Sequence, residues 1–318
     1  MKKILVTIDF EQKYRDTLNH CVQQFPDLRL SYKSDGLSPE DLKGVNAIIG
    51  CPGTKLLQEA DSLEWLQLTS AGADKYCAPG ILPQGCVLTN ASGAYGLSVS
   101  DHMLAMTFSL MRNFPFYSRQ QGEHDWKRGR KVQTTEGAVV VLLGVGDIGS
   151  IYGRKMKALG AYTIGVRRTI HEKPEWLDEQ ITMEELDKVL PRADFVAMSL
   201  PGGKATEHII DERRLGLMKD TAYIINVGRG NAIDPAALKK ALREGTIGGA
   251  GLDVTEPEPL PADDELWSLP NCLITPHVAG WFFLDKTVER IIEIVCQNLD
   301  HYMNGKELNH KVNIKYGY

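Results

Sequence analysis

The chain has 318 residues, room for two domains at about 150 residues each, and its 43% hydrophobic and 24% charged content excludes disorder, collagen and coiled coil. Its 36 Lys and Arg against 41 Asp and Glu leave a net charge of −5, and no basic run exceeds the four cations within 127–131, so a surface tracking nucleic-acid phosphates is not expected. No apolar run approaches the ~20 residues of a membrane helix: the opening run stops at Asp9, and Ala138–Val145 stops before Asp147.

In chain order, short runs rich in Val, Ile and Leu alternate with helix-length amphipathic segments, the pattern of βα units around parallel sheets. A first series comprises Ile4–Ile8, Leu28–Tyr32, Ala47–Gly50, Leu66–Ser70 and Val87–Asn90. At the junction, 98–113 predicts a helix that is apolar almost all round, capped by Ser98 or Ser100 and ended by Pro115, and therefore buried between domains or against another subunit. A second, more apolar series follows with Ala138–Leu143, Tyr162–Val166, Asp194–Ser199, Ala222–Val227, Gly248–Val254 and Cys272–Thr275, runs that suit strands covered on both faces. Val288, Ile291, Ile292, Val295, Leu299 and Tyr302 then recur at helical spacing, which returns the chain to the first domain. The six cysteines (Cys21, Cys51, Cys77, Cys86, Cys272, Cys296) form no Cys-x-x-Cys pair and no zinc-ligand spacing, and the short opening apolar run is not expected to be a secretory leader. They read as reduced thiols without a metal, in a cytoplasmic protein.

Gly144-Val145-Gly146-Asp147-Ile148-Gly149 directly follows the run Val139–Leu143 and opens a helix expected to reach Leu159. In that strand-turn-helix setting each glycine has a job: Gly144 allows the tight turn, Gly146 lets a pyrophosphate approach the backbone, and Gly149 lets helix and strand pack closely. The pyrophosphate would meet the amides of Asp147 and Ile148 at the positive end of the helix. The first series has Asp9-Phe10-Glu11-Gln12 after its opening strand and no glycine there, so only one domain is expected to bind a dinucleotide. Where NAD-binding domains place a ribose-binding carboxylate, about twenty residues past the glycines, this chain has Arg167 and Arg168. Two guanidinium groups pair with a 2′-phosphate, which favours NADP while leaving NAD possible.

Ligands of open parallel sheets bind beyond the carboxyl ends of the strands. In the second series those ends supply Arg229, Asp253 with Glu258, and His277. Together they meet the needs of a 2-oxo acid reductase: a fork for the substrate carboxylate and carbonyl, a proton donor for the carbonyl oxygen, and an acid that keeps the donor charged. The other seven histidines read as satisfied structural groups, and Tyr95, Trp281, Phe282 and Phe283 as core more readily than as the wall of a substrate pocket.

With these motifs in view, the sequence resembles the D-isomer-specific 2-hydroxyacid dehydrogenases along almost its whole length. The resemblance rests on Gly144–Gly149, Asn226-Val227-Gly228-Arg229-Gly230, Gly249-Ala250-Gly251-Leu252-Asp253-Val254, Glu258-Pro259-Leu260-Pro261 and Thr275-Pro276-His277-Val278-Ala279-Gly280. It implies an α/β fold of two doubly wound parallel-sheet domains. One is a Rossmann dinucleotide-binding domain at 98–284, the other a discontinuous flavodoxin-like substrate domain at 1–97 and 285–318. It also implies that Arg229 binds substrate, that His277 is the acid/base, and that Glu258, directly before Pro-Leu-Pro, is its partner. Asp253 would hold the nicotinamide carboxamide, with Val227, Gly228 and Gly280 completing the cofactor set. In the first domain, Ala71 and Gly72 of the Ser70–Ala73 turn would offer backbone amides to the substrate carboxylate. Arg167-Arg168 is similar to the NADPH-using glyoxylate and hydroxypyruvate reductases of the family, which points to a small 2-oxo acid as substrate, and the family's usual homodimer, built around the long interdomain helix, fits the apolar surface of 98–113. NAD-linked oxidation of a D-2-hydroxy acid such as phosphoglycerate is the alternative within the class, and a dinucleotide-sensing interaction protein the alternative outside it.

Overall fold

The computed structural model describes residues 1–129, 131–315 and 317; Arg130, one of the cations noted above, lies outside them. The chain divides into two compact units, Met1–Tyr95 with Phe282–Tyr318, and Gly96–Trp281.

The first unit holds a five-stranded sheet of β1 (Lys2–Val6), β2 (Leu28–Tyr32), β3 (Ala47–Ile49), β4 (Trp65–Gln67) and β5 (Val87–Thr89), in the order β2-β1-β3-β4-β5. Every pairing is parallel, and the order is that of flavodoxin. Ile4, Ile48, Ile49, Leu66 and Leu68 are fully buried, and removing any one of these side chains to Ala would cost about 2–5 kcal/mol. A polar network runs through this core. Gln67, fully buried, accepts on Oε1 from Thr89 Oγ1 at 2.8 Å and Asn298 Nδ2 at 2.7 Å, and donates from Nε2 to the carbonyls of Leu68 and Asn90. Because all partners are satisfied, the network ties the C-terminal helix Asp285–Met303 to β4 and to the loop after β5.

One expectation is corrected here. Cys21 and Cys296 are not free thiols but a disulfide, with Cα atoms 5.9 Å apart, a separation that bridged cysteines require. Cys21 lies on the helix Gln12–Val22 and Cys296 on Asp285–Met303, and the two helices pack side by side. Local spacing could not show it, because the partners stand 275 residues apart.

The second unit holds seven parallel strands, β6 (Val139–Leu143), β7 (Tyr162–Arg167), β8 (Glu179–Thr182), β9 (Phe195–Met198), β10 (Tyr223–Asn226), β11 (Gly249–Leu252) and β12 (Cys272–Ile274), in the order β12-β11-β10-β9-β6-β7-β8. The apolar runs behave as expected for strands covered on both faces: β9, β10 and β11 are buried at every position. β8 was not expected from the sequence. It is an edge strand whose four residues, Glu-Gln-Ile-Thr, are all half-buried, so it lacks the apolar run that marks an interior strand. Chain order reverses between β6 and β9, which makes their carboxyl ends the topological switch point where nucleotides bind in such sheets.

The junction helix is Gly96–Met111, and Met103, Met106, Leu110 and Met111 are buried on it. It packs on β10 and β11, closely enough that a Cβ on Gly251 would stand 3.2 Å from Leu110 and 3.3 Å from Met106. Neither expected cap is one: the helix begins before Ser98, and Ser100 Oγ donates back to the Leu97 carbonyl. Pro115 does not end this helix but sits in the first turn of the next, Phe114–Glu123, where its missing N–H costs nothing. No helix among the described residues is long and apolar enough to cross a membrane.

Candidate active site

The glycine turn is built as its spacing predicted. Gly144 has φ of +94°, a left-handed conformation that favours glycine. A Cβ on Gly149 would lie 2.0 Å from the Gly144 carbonyl oxygen, so only glycine lets the helix Asp147–Ala158 start this close to β6. At Gly146 a Cβ would meet nothing within 4 Å, leaving open space directly before the helix N-terminus, where an anion is favoured. Ser199, at the end of the adjacent β9, donates Oγ to the Gly144 carbonyl at 3.2 Å and braces the turn from across the switch point. At the end of β7, Arg167 is half-buried with its Nε buried and unpartnered, and Arg168 is exposed. An unpartnered guanidinium N–H and a glycine turn with open space before the helix N-terminus, both at this edge of the sheet, fit the phosphates of a dinucleotide.

Beyond β10, Val227 and Gly228 are buried, and a Cβ on Gly228 would stand 2.5 Å from the Leu200 carbonyl. Arg229 donates Nη1 to the Gly228 carbonyl at 2.9 Å, and its stem runs against Gly202, where a Cβ would stand 3.2 Å from Arg229 Cγ. Beyond β11 and β12, His277 and Glu258 meet: Nδ1 and Oε1 are 2.5 Å apart, with both side chains nearly half exposed. The neighbouring acid has a different partner. Glu256 Oε2 lies 2.9 Å from His208 Nε2, and this hydrogen bond raises the His208 pKa above the ordinary histidine value. The two carboxylates that the sequence offers two residues apart are thus sorted between two imidazoles.

His277 itself has φ of +52°, a backbone state that costs a non-glycine residue about 1–3 kcal/mol. Asp253 holds it there. The Asp253 carbonyl accepts from His277 N at 2.8 Å, Oδ1 accepts from Val278 N at 2.9 Å and from Thr275 Oγ1 at 2.6 Å, and Oδ2 accepts from Ala279 N at 3.0 Å. Expected to face a nicotinamide, Asp253 is 2% exposed and binds the His277 turn. Gly280, half-buried, closes that turn. His102, grouped in the sequence with the structural histidines, reaches the same cluster from the Gly96–Met111 helix; its distance along the chain hid it. The aromatics expected in the core divide: Tyr95 is buried and donates to the Thr69 carbonyl, whereas Trp281 and Phe283 are 56% and 78% exposed.

In the first unit, the Ser70–Ala73 turn follows β4. Its carbonyls are engaged: Ser70 O accepts from Ala91 N, Ala71 O from Asn90 Nδ2 at 2.8 Å, and Gly72 O from Ser70 Oγ at 2.8 Å. Among the described residues, the amides of Ala71 and Gly72 have no hydrogen bond within the protein.

A parallel sheet with a glycine turn at its switch point and an imidazole–carboxylate pair at its strand ends defines a dinucleotide-dependent oxidoreductase domain. Residues 104–279 match the family model described as D-isomer specific 2-hydroxyacid dehydrogenase, NAD binding domain, and the chain belongs to that family of NAD(P)-dependent oxidoreductases. A glyoxylate reductase of Korarchaeum cryptofilum is 31% identical over 79% of this chain and 76% of its own. Among solved structures, a D-isomer specific 2-hydroxyacid dehydrogenase family protein from Aeromonas salmonicida superposes with a TM-score of 0.87 at 31% identity, covering 98% of this chain and 99% of that one. A D-isomer specific 2-hydroxyacid dehydrogenase from Xanthobacter autotrophicus Py2, in complex with NADPH and MES, does so with a TM-score of 0.83 at 26% identity, over 100% and 99% of the two chains.

Proposed function

We propose that the protein reduces a small 2-oxo acid of the glyoxylate or hydroxypyruvate kind to a D-2-hydroxy acid, with NADPH as reductant. The observation that carries this reading is the 2.5 Å contact between His277 Nδ1 and Glu258 Oε1. A carboxylate on Nδ1 fixes the orientation of the ring and leaves Nε2 as the nitrogen that exchanges a proton with the substrate. In this reading His277 delivers that proton to the substrate's carbonyl oxygen, and Glu258 stabilises the imidazolium before transfer. Arg229 binds the carboxylate and carbonyl, and the free amides of Ala71 and Gly72 are further donors to the carboxylate. Bound NADPH supplies the hydride that reduces C2.

Gly144, Gly146, Asp147, Ile148 and Gly149 would hold the pyrophosphate, Arg167 and Arg168 the 2′-phosphate, and Val227, Gly228 and Gly280 the nicotinamide end. Asp253 joins that set through the lone pair its internal bonds leave over. The glyoxylate reductase relative and the NADPH-bound neighbour support the substrate class and the cofactor. A homodimer belongs to the proposal. It is supported by Phe108, Phe114 and Trp126, which are 36%, 61% and 102% exposed on or just after the two helices that open the second unit; light scattering after size exclusion tests it. A cytoplasmic location belongs to the proposal as well, and subcellular fractionation with detection of the protein tests it.

The deciding experiment follows absorbance at 340 nm with purified protein, NADPH or NADH, and a panel of glyoxylate, hydroxypyruvate, pyruvate and larger 2-oxo acids, with chiral chromatography of the product. Turnover of NADPH to a D-product is expected. Tight NADPH binding without turnover of any oxo acid would overturn the reading in favour of a dinucleotide sensor, and turnover confined to NADH would overturn the cofactor assignment.

A further inference from the structure

The His277 turn is held not only from beneath, by Asp253, but also from the side, by a helix nearly two hundred residues earlier in the chain. His102 Nε2 lies 2.9 Å from Thr275 Oγ1 and 3.7 Å from Asp253 Oδ1. One turn earlier on the same helix, Ser98 Oγ donates to the Ala279 carbonyl at 2.8 Å. Residues four apart share a helix face, so Ser98 and His102 grip the two ends of the Thr275–Ala279 segment that carries His277 between them. The direction of the bonds follows from the acceptor at the end of the chain. Thr275 Oγ1 donates its single proton to Asp253 Oδ1 at 2.6 Å, so toward His102 the hydroxyl can only accept, and Nε2 must carry a proton. Each group in the relay is thereby fixed by the next: His102 orients the Thr275 hydroxyl, which occupies Oδ1 of a carboxylate 2% exposed, whose two oxygens hold the amides of Val278 and Ala279.

We propose that His102 is a positioning residue for His277, acting through Thr275 and Asp253 to hold the left-handed backbone of the catalytic turn. The claim rests on the acid/base role assigned above to His277, but the geometry it describes exists without substrate or cofactor. Removing the His102 donor frees Thr275 Oγ1 to rotate, weakens its bond to Asp253, and loosens the two amide bonds that force His277 to positive φ. Mere helix packing would instead tolerate any side chain of similar size at this position.

The test uses the full-length protein with His102→Phe, Thr275→Val, the double variant, and the conservative His102→Gln and Thr275→Ser. Amide hydrogen exchange on the unliganded protein is the first readout. In His102→Phe and Thr275→Val, the Val278 and Ala279 amides are expected to exchange about tenfold faster, the effect of one lost charge-assisted bond, while Ile224 and Ile225 in β10 keep the wild-type rate. The double variant should be no faster than either single one, and Gln and Ser should restore most of the protection. The second readout is kinetic: kcat for the 2-oxo acid falls about tenfold while the KM for NADPH holds.

Wild-type exchange at Val278 and Ala279 in both Phe and Val variants would overturn the proposal, as would acceleration spread equally through β10, or a His102→Gln variant as impaired as His102→Phe. Thr275→Val, a near-isostere, keeps the question decidable if His102→Phe does not fold. Were the wild-type protein to turn over no 2-oxo acid, the reading of function would fall, while hydrogen exchange alone would still decide whether His102 holds the turn.

Discussion

The two parallel sheets present the same kind of edge and furnish it differently. In the seven-stranded sheet, the carboxyl ends of β7, β10, β11 and β12 carry charged side chains: Arg167, Arg229, Asp253 with Glu258, and His277. In the five-stranded sheet, the loops after β4 and β5 carry almost none. There the Ser70–Ala73 turn has its carbonyls tied down by Asn90, Ala91 and its own Ser70, while the amides of Ala71 and Gly72 make no hydrogen bond among the described residues. Chemistry that moves protons or discriminates charge needs side chains of specific pKa and shape, whereas orienting an anion needs only well-held N–H groups. Substitutions in the first edge should therefore abolish or redirect chemistry, and those in the second should only weaken binding.

The largest effect is expected at His277. With Ala in its place kcat should fall about 10²–10⁴-fold, the usual contribution of a positioned acid/base, and NADPH affinity, measured by fluorescence titration, should stay within about twofold. A fully active His277→Ala variant would erase the contrast between the two edges. Next comes Arg167→Asp at the end of β7. Losing a charge-assisted pair with a 2′-phosphate, about 1.5–3 kcal/mol, should shift the NADPH/NADH ratio of kcat/KM by tens- to hundred-fold toward NADH. Equal kinetics with both cofactors before and after the substitution would take the 2′-phosphate away from Arg167.

What could be read beforehand follows the same division. Gly144–Gly149, Arg229, Glu258 and His277 were visible because each stands just past an apolar run, and because the glycine spacing is one that only a tight strand-to-helix turn requires. Where the structural cause lies in backbone groups or in distant partners, residue types carry little trace of it. β8 leaves no such mark because an edge strand needs no continuous apolar run. Asp253 grips the amides of Val278 and Ala279, and any residue type there other than proline has such an amide to give. His102 lies 173 residues from Thr275, and Cys21 lies 275 from Cys296; only the fold brings such pairs together. Pro115 is ambiguous in the sequence because proline ends one helix and begins another with equal ease.

At the second edge, Asn90 sharpens the comparison. Buried, it donates to the Ala71 carbonyl and accepts from Ser92 N. Asn90→Ala removes one neutral hydrogen bond from the turn, about 1 kcal/mol, and should raise the KM for the 2-oxo acid about fivefold while kcat and NADPH binding hold. A fall in kcat as large as that at His277 would mean that this turn does more than bind.

The smallest effect separates the two imidazole–carboxylate pairs. The bond to Glu256 raises the His208 pKa, so the pair's stabilising contribution is fully present below the ordinary histidine value of about 6.5 and is lost as pH rises through the raised folded value. Both side chains are about 40% exposed, so solvent screening holds the contribution below about 1 kcal/mol. Glu256→Gln should therefore lower Tm by about 1–2 °C at pH 6, where His208 is charged, and by nothing measurable at pH 9. Its kcat should follow the wild type, because Glu256 pairs with His208 and not with His277. If Glu256→Gln instead cut kcat as Glu258→Gln should, the sorting of the two acids between the two imidazoles would be wrong, and with it the assignment of the proton donor's partner.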